Sequence, residues 1–384
     1  MKEKVLHVIT GLNNGGAEGA LCRLCTNSQL YQHVVVSLID GGVHEARLKE
    51  AGVLVYCLGF NRAWMLPWVA IKLFVIVCRE RPSLMQTWMY HADFVGGIVA
   101  RFAFMRRIFW GIRHSSFEKG GSSKSTVILA KVCASMSSFL PSGIICCANS
   151  AARLHESIGY DGNKMSVIHN GYDLNLLNFS SSGRSIVRRE IGIPDESFLI
   201  GMVARFNPQK DHANLIAALG IMKRKFLSFK CVLVGPGVDE DNDALCTLLE
   251  NHNLKDDVVL LGARADVANI MSSLDVHVLS SAFGEAFPNV LAEAMACQTP
   301  CIATDVGDSS FIIDSHGWIV PPRQPQLLAL SIEKAMREAV SFPADWAARR
   351  QECSNRIKNN FSVEAMVNKF EAVWSSNSDN PGKS

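Results

Sequence analysis

Charge is scarce in this chain. Asp, Glu, Lys and Arg make up 19% of its 384 residues, and the formal net charge is only +2. With 48% hydrophobic residues beside so little charge, a disordered chain is excluded and buried cores are expected. The 12 cysteines have no spacing that suggests a disulfide framework. Cys22 and Cys25 do form a C-x-x-C, but no second pair stands nearby to complete a zinc site. They fall inside an expected helix, not at its start, so core packing is the better reading. No secretory signal is expected here, because the apolar run at 5–10 is too short. A membrane span is missing too: the most apolar region, 64–78, is short and contains Lys72. These absences together point to a reducing, cytoplasmic setting. Length alone argues for two domains.

The densest signal lies between Ser280 and Asp308. Glu285 and Glu293 are separated by seven residues, with Pro288 between them. Proline is tolerated in the first turn of a helix, where its missing N–H is not needed. A helix is therefore expected from near Pro288, with Glu293 inside it and Glu285 in the loop ahead. The unpaired N–H groups of a helix start, and its dipole, favour an anion. A loop carboxylate, a phosphate-ready helix start and a second carboxylate suit a nucleotide sugar: sugar near Glu285, diphosphate at the helix start, ribose at Glu293.

Other turns follow strand-like runs. The apolar run 5–10 leads into Gly11, Gly15 and Gly16, then a helix pattern from 19. Strand, glycine-rich turn and helix form a phosphate-cradling order, although the spacing is not G-x-G-x-x-G. Strands are also expected at 32–38, 53–58, 84–87, 109–112, 143–148 and 165–169, with helices at 43–51 and 64–80. Asn149 and Ser150 are placed as the cap of a helix from 151. His91 and His114 each come just after a strand, where open α/β sheets bind ligands. Either is open to a structural reading. His114 can donate or accept near neutral pH. Between 96 and 131, Arg101, Arg106, Arg107, Arg113, Lys119, Lys124 and Lys131 face a single acid, Glu118, with Phe102, Phe104, Phe109 and Trp110 interleaved. This is read either as an anionic membrane interface or as a solvated basic face; no motif for reading nucleic acid accompanies it.

Polar residues 178–185 are the expected linker. A second strand–helix cycle follows, with strands at 198–203, 230–234, 258–261, 276–280 and 301–304. Arg205 and Lys210 put two cations on one loop after a strand, which suits a diphosphate. Asp239, Asp241 and Asp243 form D-x-D triplets, but they lead into a helix and are read as capping acids. Helices are expected at 327–340 and 362–374. The domains are drawn at 1–180 and 186–361. Residues 362–384 supply a final helix and a frayed tail.

The Glu285–Glu293 block resembles the E-x7-E motif of retaining glycosyltransferases of the GT-B fold, glycosyltransferase family 4. Ala286 and Gln298 stand where that pattern usually has glycine; Gln298, beyond the helix, is expected to matter less than Ala286. Gly15, Gly16, Ala17 and Glu18 resemble the family's G-G-A-E loop, Asn170 to Asp173 its N-G-x-D turn, and Arg205/Lys210 its R-x-x-x-x-K loop. The resemblance implies an α/β protein with two Rossmann-like domains facing across a cleft, the first binding acceptor and the second the nucleotide sugar. It implies transfer of a sugar from a UDP-linked donor to a hydroxyl of a glycan or lipid-linked oligosaccharide in bacterial surface polysaccharide assembly, with retention. Glu285 and His114 are the catalytic candidates. Gly15, Gly16, Arg205, Lys210, Gly262, Arg264, Phe287, Asn289, Val290 and Glu293 are the donor-binding candidates, with backbone near Gly262 and Arg264 at the base. No metal and no other cofactor are implied, since cations and helix amides can balance the diphosphate. The implied partners are the donor, the acceptor and a peripheral anionic membrane surface, with no nucleic acid. Two alternatives stay open: an enzyme that hydrolyses or isomerises a nucleotide sugar, and a non-catalytic nucleotide- or glycan-binding module.

Overall fold

In the computed structural model, residues 2–117, 123–225 and 227–376 are described. Contacts divide the chain into two units, residues 1–171 with 363–384, and residues 172–362. Glu118 and Lys119 of the basic stretch, and residues 377–384 of the expected tail, lie outside the described residues.

The first unit is built on seven parallel strands: β1 (Glu3–Ile9), β2 (Tyr31–Ser37), β3 (Leu54–Cys57), β4 (Leu84–Trp88), β5 (Ile108–Ile112), β6 (Gly143–Cys146) and β7 (Met165–Val167). Their order across the sheet is β3-β2-β1-β4-β5-β6-β7. The intervening helices are α1 (Gly16–Asn27), α2 (Val43–Glu50), α3 (Leu66–Glu80), α4 (Tyr90–Phe102), α5 (Lys124–Met136) and α6 (Asn149–Ser157). Strands such as β4 and β5 are buried along their whole length, as sheets covered on both faces require. That is why they read as apolar runs rather than alternating ones.

The second unit repeats the plan with six parallel strands: β8 (Leu199–Val203), β9 (Lys230–Val234), β10 (Val258–Leu260), β11 (Val276–Leu279), β12 (Cys301–Thr304) and β13 (Trp318–Val320). Their order is β10-β9-β8-β11-β12-β13. Its helices are α7 (Ser181–Glu190), α8 (His212–Arg224), α9 (Asp243–Asn251), α10 (Val267–Ser273), α11 (Asn289–Ala296), α12 (Ser309–Ile313), α13 (Pro325–Ser341) and α14 (Pro343–Asn360). In each sheet the order reverses direction once, between β1 and β4 and between β8 and β11. Ligands of open α/β sheets bind beyond the strand ends at that reversal.

The last helix, α15 (Val363–Ser376), belongs to the first unit's core. Phe370 stacks on Trp88, and the indole N–H of Trp374 donates to Gln86 Oε1 at 3.1 Å. A buried polar relay lies beside them. Trp88 Nε1–H donates to His7 Nδ1 at 3.2 Å, and His7 Nε2 faces His33 Nδ1 at 2.9 Å. Neutral His7 therefore carries its proton on Nε2 and donates it to His33. Cys25 completes a His7–Cys25–His33 group with ligand atoms within 4.8 Å of one another. Coordination through His7 Nε2 would turn its Nδ1–H against the Trp88 N–H, so the trio is built as a hydrogen-bond relay. Burial holds both histidines neutral, lowering His33 to about 4.

Several sequence expectations shift. The 178–185 linker does not exist as such: Ser180 caps α7 through Gly183 N, and α7 lies in the second unit. The chain passes between units at 171–172 and at 362–363. Helix α6 starts at Asn149, with Ala148 in the cap position and no side-chain cap bond. The cap of α9 is Asn242, not an aspartate of the D-x-D triplets; its side chain accepts from Leu245 N at 3.1 Å. The stretch 96–131 is not one amphipathic surface. Phe109 and Trp110 are core residues of β5, Arg107 pairs with Glu3 at 2.8 Å, and Arg101 donates to the carbonyl of Leu140 at 2.7 Å. Exposed apolar side chains gather on α3 instead, where Trp68, Ile71 and Val75 are each more than half exposed. Among the described residues, no helix is long and apolar enough to cross a membrane.

Candidate functional site

In the second unit, the loops after β8 and β11 meet at the sheet reversal. The first loop carries Arg205 to Asp211; the second runs from Ser280 into α11. Ala282 N–H donates to the Gln209 carbonyl at 2.8 Å, and Ser280 Oγ donates to the carbonyls of Lys210 and Asp211. These bonds clamp the two loops together. On that frame Lys210 Nζ sits 2.5 Å from Glu285 Oε1, and Ser281 Oγ donates to the same oxygen at 2.7 Å. Glu285 is only 7% exposed. A carboxylate so withdrawn from water loses hydration, and this cation and hydroxyl compensate it.

Beyond Glu285 the chain turns at Pro288, the cap position of α11. Glu293 is the fifth residue of that helix and half-buried, as the sequence spacing predicts. Asn289 opens the helix and accepts a hydrogen bond from Tyr172 Oη at 2.6 Å. The loop is held by Gly307, whose φ is +66° and whose added Cβ would lie 2.1 Å from the Glu285 carbonyl oxygen. Only glycine fits there. The two departures from the family pattern exchange importance. Ala286 is absent from the residues of positive φ, so its backbone asks for no glycine. Gln298, just past α11, has φ +59°, the left-handed cap that glycine usually fills.

The remaining donor candidates divide. Gly262, with φ +62°, has open space where a side chain would be, and its carbonyl accepts from Gly235 N at 2.7 Å. The Arg264 guanidinium is held by Asp266 at 2.8 Å and Glu190 at 2.5 Å, which bears on its side chain and not on the backbone contact expected near Gly262 and Arg264. Phe287 is buried and packs edge-on to Phe361 at 5.3 Å, so its side chain is core. Val290 is half-buried in the first turn of α11. Arg205 is exposed, and no ion pair holds it among the described residues.

The first unit has its own recess at the reversal between β1 and β4. A cavity of about 380 Å³ is lined by the β1–α1 turn (Gly11, Asn13), by Glu18, by His91 and by Arg113 and His114 at the end of β5. His114 and His91 both have pKa values lowered by burial, which keeps them neutral and able to donate or accept at pH 7. His114 lies edge-on to Tyr90 at 6.4 Å. Gly15 caps α1 and Gly16 begins it, three residues earlier than the sequence pattern suggests. A Cβ on Gly15 would meet a Glu18 carboxylate oxygen at 2.2 Å. Neither glycine is among the residues lining this cavity; Glu18 is.

Sequence reasoning missed Ser281, Tyr172, Thr10 and Arg113. Ser281 and Arg113 each stand one or two residues beyond a strand end, which is the signal that could have found them. Arg113 was counted only among the basic residues.

Comparison with known proteins agrees with this geometry. Residues 183–359 match the family profile "Glycosyl transferases group 1", and residues 15–176 match "Glycosyltransferase Family 4". The chain is similar to the Escherichia coli UDP-Gal:alpha-D-GlcNAc-diphosphoundecaprenol alpha-1,3-galactosyltransferase, at 25% identity over 311 residues, covering 79% of this chain and 78% of that one. It is also similar to the Campylobacter jejuni N-acetylgalactosamine-N,N'-diacetylbacillosaminyl-diphospho-undecaprenol 4-alpha-N-acetylgalactosaminyltransferase, at 31% identity over 142 residues, 37% of this chain and 35% of that one. Among solved structures, Anabaena HepE in complex with UDP has the same fold, with a TM-score of 0.85 and 22% identity over 97% of this chain and 100% of that one. The paired parallel sheets, the clamped Lys210–Glu285 site and two family profiles lead to one conclusion: the chain belongs to the group 1, family 4 glycosyltransferases of the GT-B fold.

Proposed function

We propose that this transferase moves a sugar from a UDP-linked donor to a hydroxyl of a lipid-linked glycan, with retention of anomeric configuration and without a metal. The observation that carries the reading is the Lys210–Glu285–Ser281 cluster at the head of α11. Lys210 supplies a cation for the departing diphosphate and the start of α11 supplies N–H donors. Glu285 orients the donor sugar, and Glu293 receives ribose hydroxyls. His114 contacts the transferring sugar or the acceptor hydroxyl. The diphosphoundecaprenol named for two relatives supports a lipid-linked acceptor. A role in bacterial surface polysaccharide assembly, at the inner face of the cytoplasmic membrane, follows from that acceptor.

The peripheral membrane contact is better placed on α3 than on the 96–131 stretch. Trp68, Ile71 and Val75 are exposed there beside Lys72 and Arg79. Apolar side chains flanked by cations suit an anionic lipid surface. Moreover, α3 starts where β3 ends, on the ligand-binding edge of the sheet. The exposed Phe102, Phe104 and Arg106 precede β5 and so lie at the opposite edge.

A thermal-shift panel of UDP, GDP, ADP and CMP with their sugar conjugates tests the donor site, run on the wild type, Glu293→Ala and Lys210→Ala. Selective stabilisation by UDP, weakened in both variants, is expected. No shift with any nucleotide would sink the donor-site assignment. Product analysis with donor alone separates transfer from hydrolysis, since a transferase needs its acceptor for full turnover.

A further inference from the structure

Arg113 is a half-buried cation with no ion-pair partner among the described residues. Its Nη1 donates to Asn170 Oδ1 at 2.8 Å, and its guanidinium lies 4.4 Å from the centre of the Trp88 ring. Nε and Nη2 are buried without an oxygen or nitrogen partner, and no carboxylate lies within ion-pair distance of them among the described residues; the Cys147 thiol is the side chain that interacts with the guanidinium there. Asp93 interacts with it only at longer range, and burial raises that carboxyl to about 8, so it is mostly protonated at neutral pH. Burying an unpaired guanidinium is costly, and planar N–H donors of this kind match phosphate oxygens. Arg113 lines the 380 Å³ cavity together with Thr10, whose buried hydroxyl also lacks a partner. Glu18, on the same cavity, folds back over its own helix start. It is available to sugar hydroxyls rather than to an anion.

A second cavity adjoins the first and shares Thr10, Ile39 and His91 with it. Its volume is about 510 Å³, and its walls are mainly apolar, with Leu66, Val69, Phe94, Val95 and Leu129 among them. Leu66 and Val69 come from the first turn of α3, the helix whose outer face exposes Trp68 and Ile71. An anion-seeking pocket and an apolar annex are thus adjacent, with Thr10, Ile39 and His91 as their common wall, and the annex borders the apolar helix.

We infer that Arg113 anchors a phosphate of the acceptor and that the adjoining apolar cavity holds the first carbons of that acceptor's hydrocarbon chain. The inference rests on the transferase reading above and assigns the acceptor end of it to named residues. Arg113 is then a specificity-determining residue for phosphate-bearing amphiphiles, and Thr10 adds a hydrogen bond to the same group.

Isothermal titration of the full chain tests this, with octyl diphosphate, inorganic pyrophosphate and octyl glucoside below its micelle concentration. Saturating UDP is present to occupy the donor's diphosphate site. Octyl diphosphate is expected to bind the wild type most tightly, and about tenfold or more weaker to Arg113→Ala, with part of the affinity restored in Arg113→Lys. Leu129→Trp, which narrows the annex at a half-exposed position, is expected to bring octyl diphosphate down to the affinity of pyrophosphate. Equal binding of octyl diphosphate to the wild type and Arg113→Ala would overturn the inference, as would no binding to either. Pyrophosphate binding as tightly as octyl diphosphate would overturn the chain site and leave a free-phosphate site. Octyl glucoside binding as tightly would overturn the anion site. UDP affinity, titrated separately, is expected to be the same in every variant, which also shows that each is folded. Loss of UDP binding in the wild type would instead sink the donor reading.

Discussion

Replacing Glu285 by glutamine should improve nucleotide binding while destroying turnover. The side chains of Lys210 and Glu285 are only 13% and 8% exposed, and their charged atoms are 2.5 Å apart. In the unliganded protein each neutralises the other. A diphosphate approaching Lys210 must therefore also approach the Glu285 carboxylate. Two unit charges about 5 Å apart repel by about 3 kcal/mol at an effective dielectric constant of about 20, less what salt screens. Glutamine keeps the shape and the bond from Ser281 but removes that repulsion. The expected result is a tenfold to hundredfold tighter Kd for UDP, taking about 1.4 kcal/mol per decade.

Lys210→Ala should act in the opposite sense. It removes a charge-assisted hydrogen bond worth about 1.5–3 kcal/mol and leaves the full charge of Glu285 beside the phosphates. UDP affinity should fall by about tenfold or more. Titration calorimetry at two salt concentrations reads both effects, and the gain in Glu285→Gln should shrink at high salt. Turnover in Glu285→Gln should drop by about a hundredfold or more, because the group proposed to orient the donor sugar is altered. If Glu285→Gln weakened UDP as much as Lys210→Ala did, Glu285 would be acting chiefly to hold Lys210 in position, and the electrostatic reasoning would be wrong.

Three further outcomes follow from single residues. Gln298→Gly should raise stability by about 1 kcal/mol, seen as a Tm a few degrees higher, because φ +59° is strained for any residue with a Cβ. Gly307→Ala should lower turnover far more than the conservative change suggests: its Cβ would lie 2.1 Å from the Glu285 carbonyl and displace that loop, which steady-state kinetics and a UDP titration would show together. Asp93 should make stability fall as pH rises. Its carboxyl titrates near 3.8 when unfolded and about 8 in the fold, so the folded state binds the proton more tightly. The neutral form's advantage is complete below the unfolded pKa and is lost progressively up to about pH 8, at about 1.4 kcal/mol per unit at most. Denaturant melts of Asp93→Asn should lack that slope between pH 5 and 8; an equal slope in both proteins would refute the assignment.

What was legible in the sequence was whatever rests on short-range chemistry. Parallel strands buried on both faces leave unbroken apolar runs, so β1, β4, β5, β8 and β11 could be found within a residue or two. Pro288 marks the start of α11, and the fixed rise of a helix then places Glu293 without further information. The 96–131 stretch failed because composition does not say which way a side chain faces. Phe109 and Trp110 alternate across a buried strand, whereas Phe102 ends α4 and Phe104 sits exposed in the turn after it, yet all four read alike in a count. Gln298 and Ala286 were weighted in the wrong order because a backbone angle, not a residue's distance from the ligand, decides where glycine is needed. Nor does the sequence say that the Arg264 side chain is held by Glu190, 74 residues away. Arg113 is the reverse case. As one arginine among seven basic residues it carried no signal. Its meaning comes from what the fold withholds: Trp88, at the end of β4, covers its face, while no carboxylate among the described residues comes near enough to pair with it. A sequence records which charges exist. Whether a charge is answered depends on contacts between distant segments, and it is the unanswered one that points to a ligand.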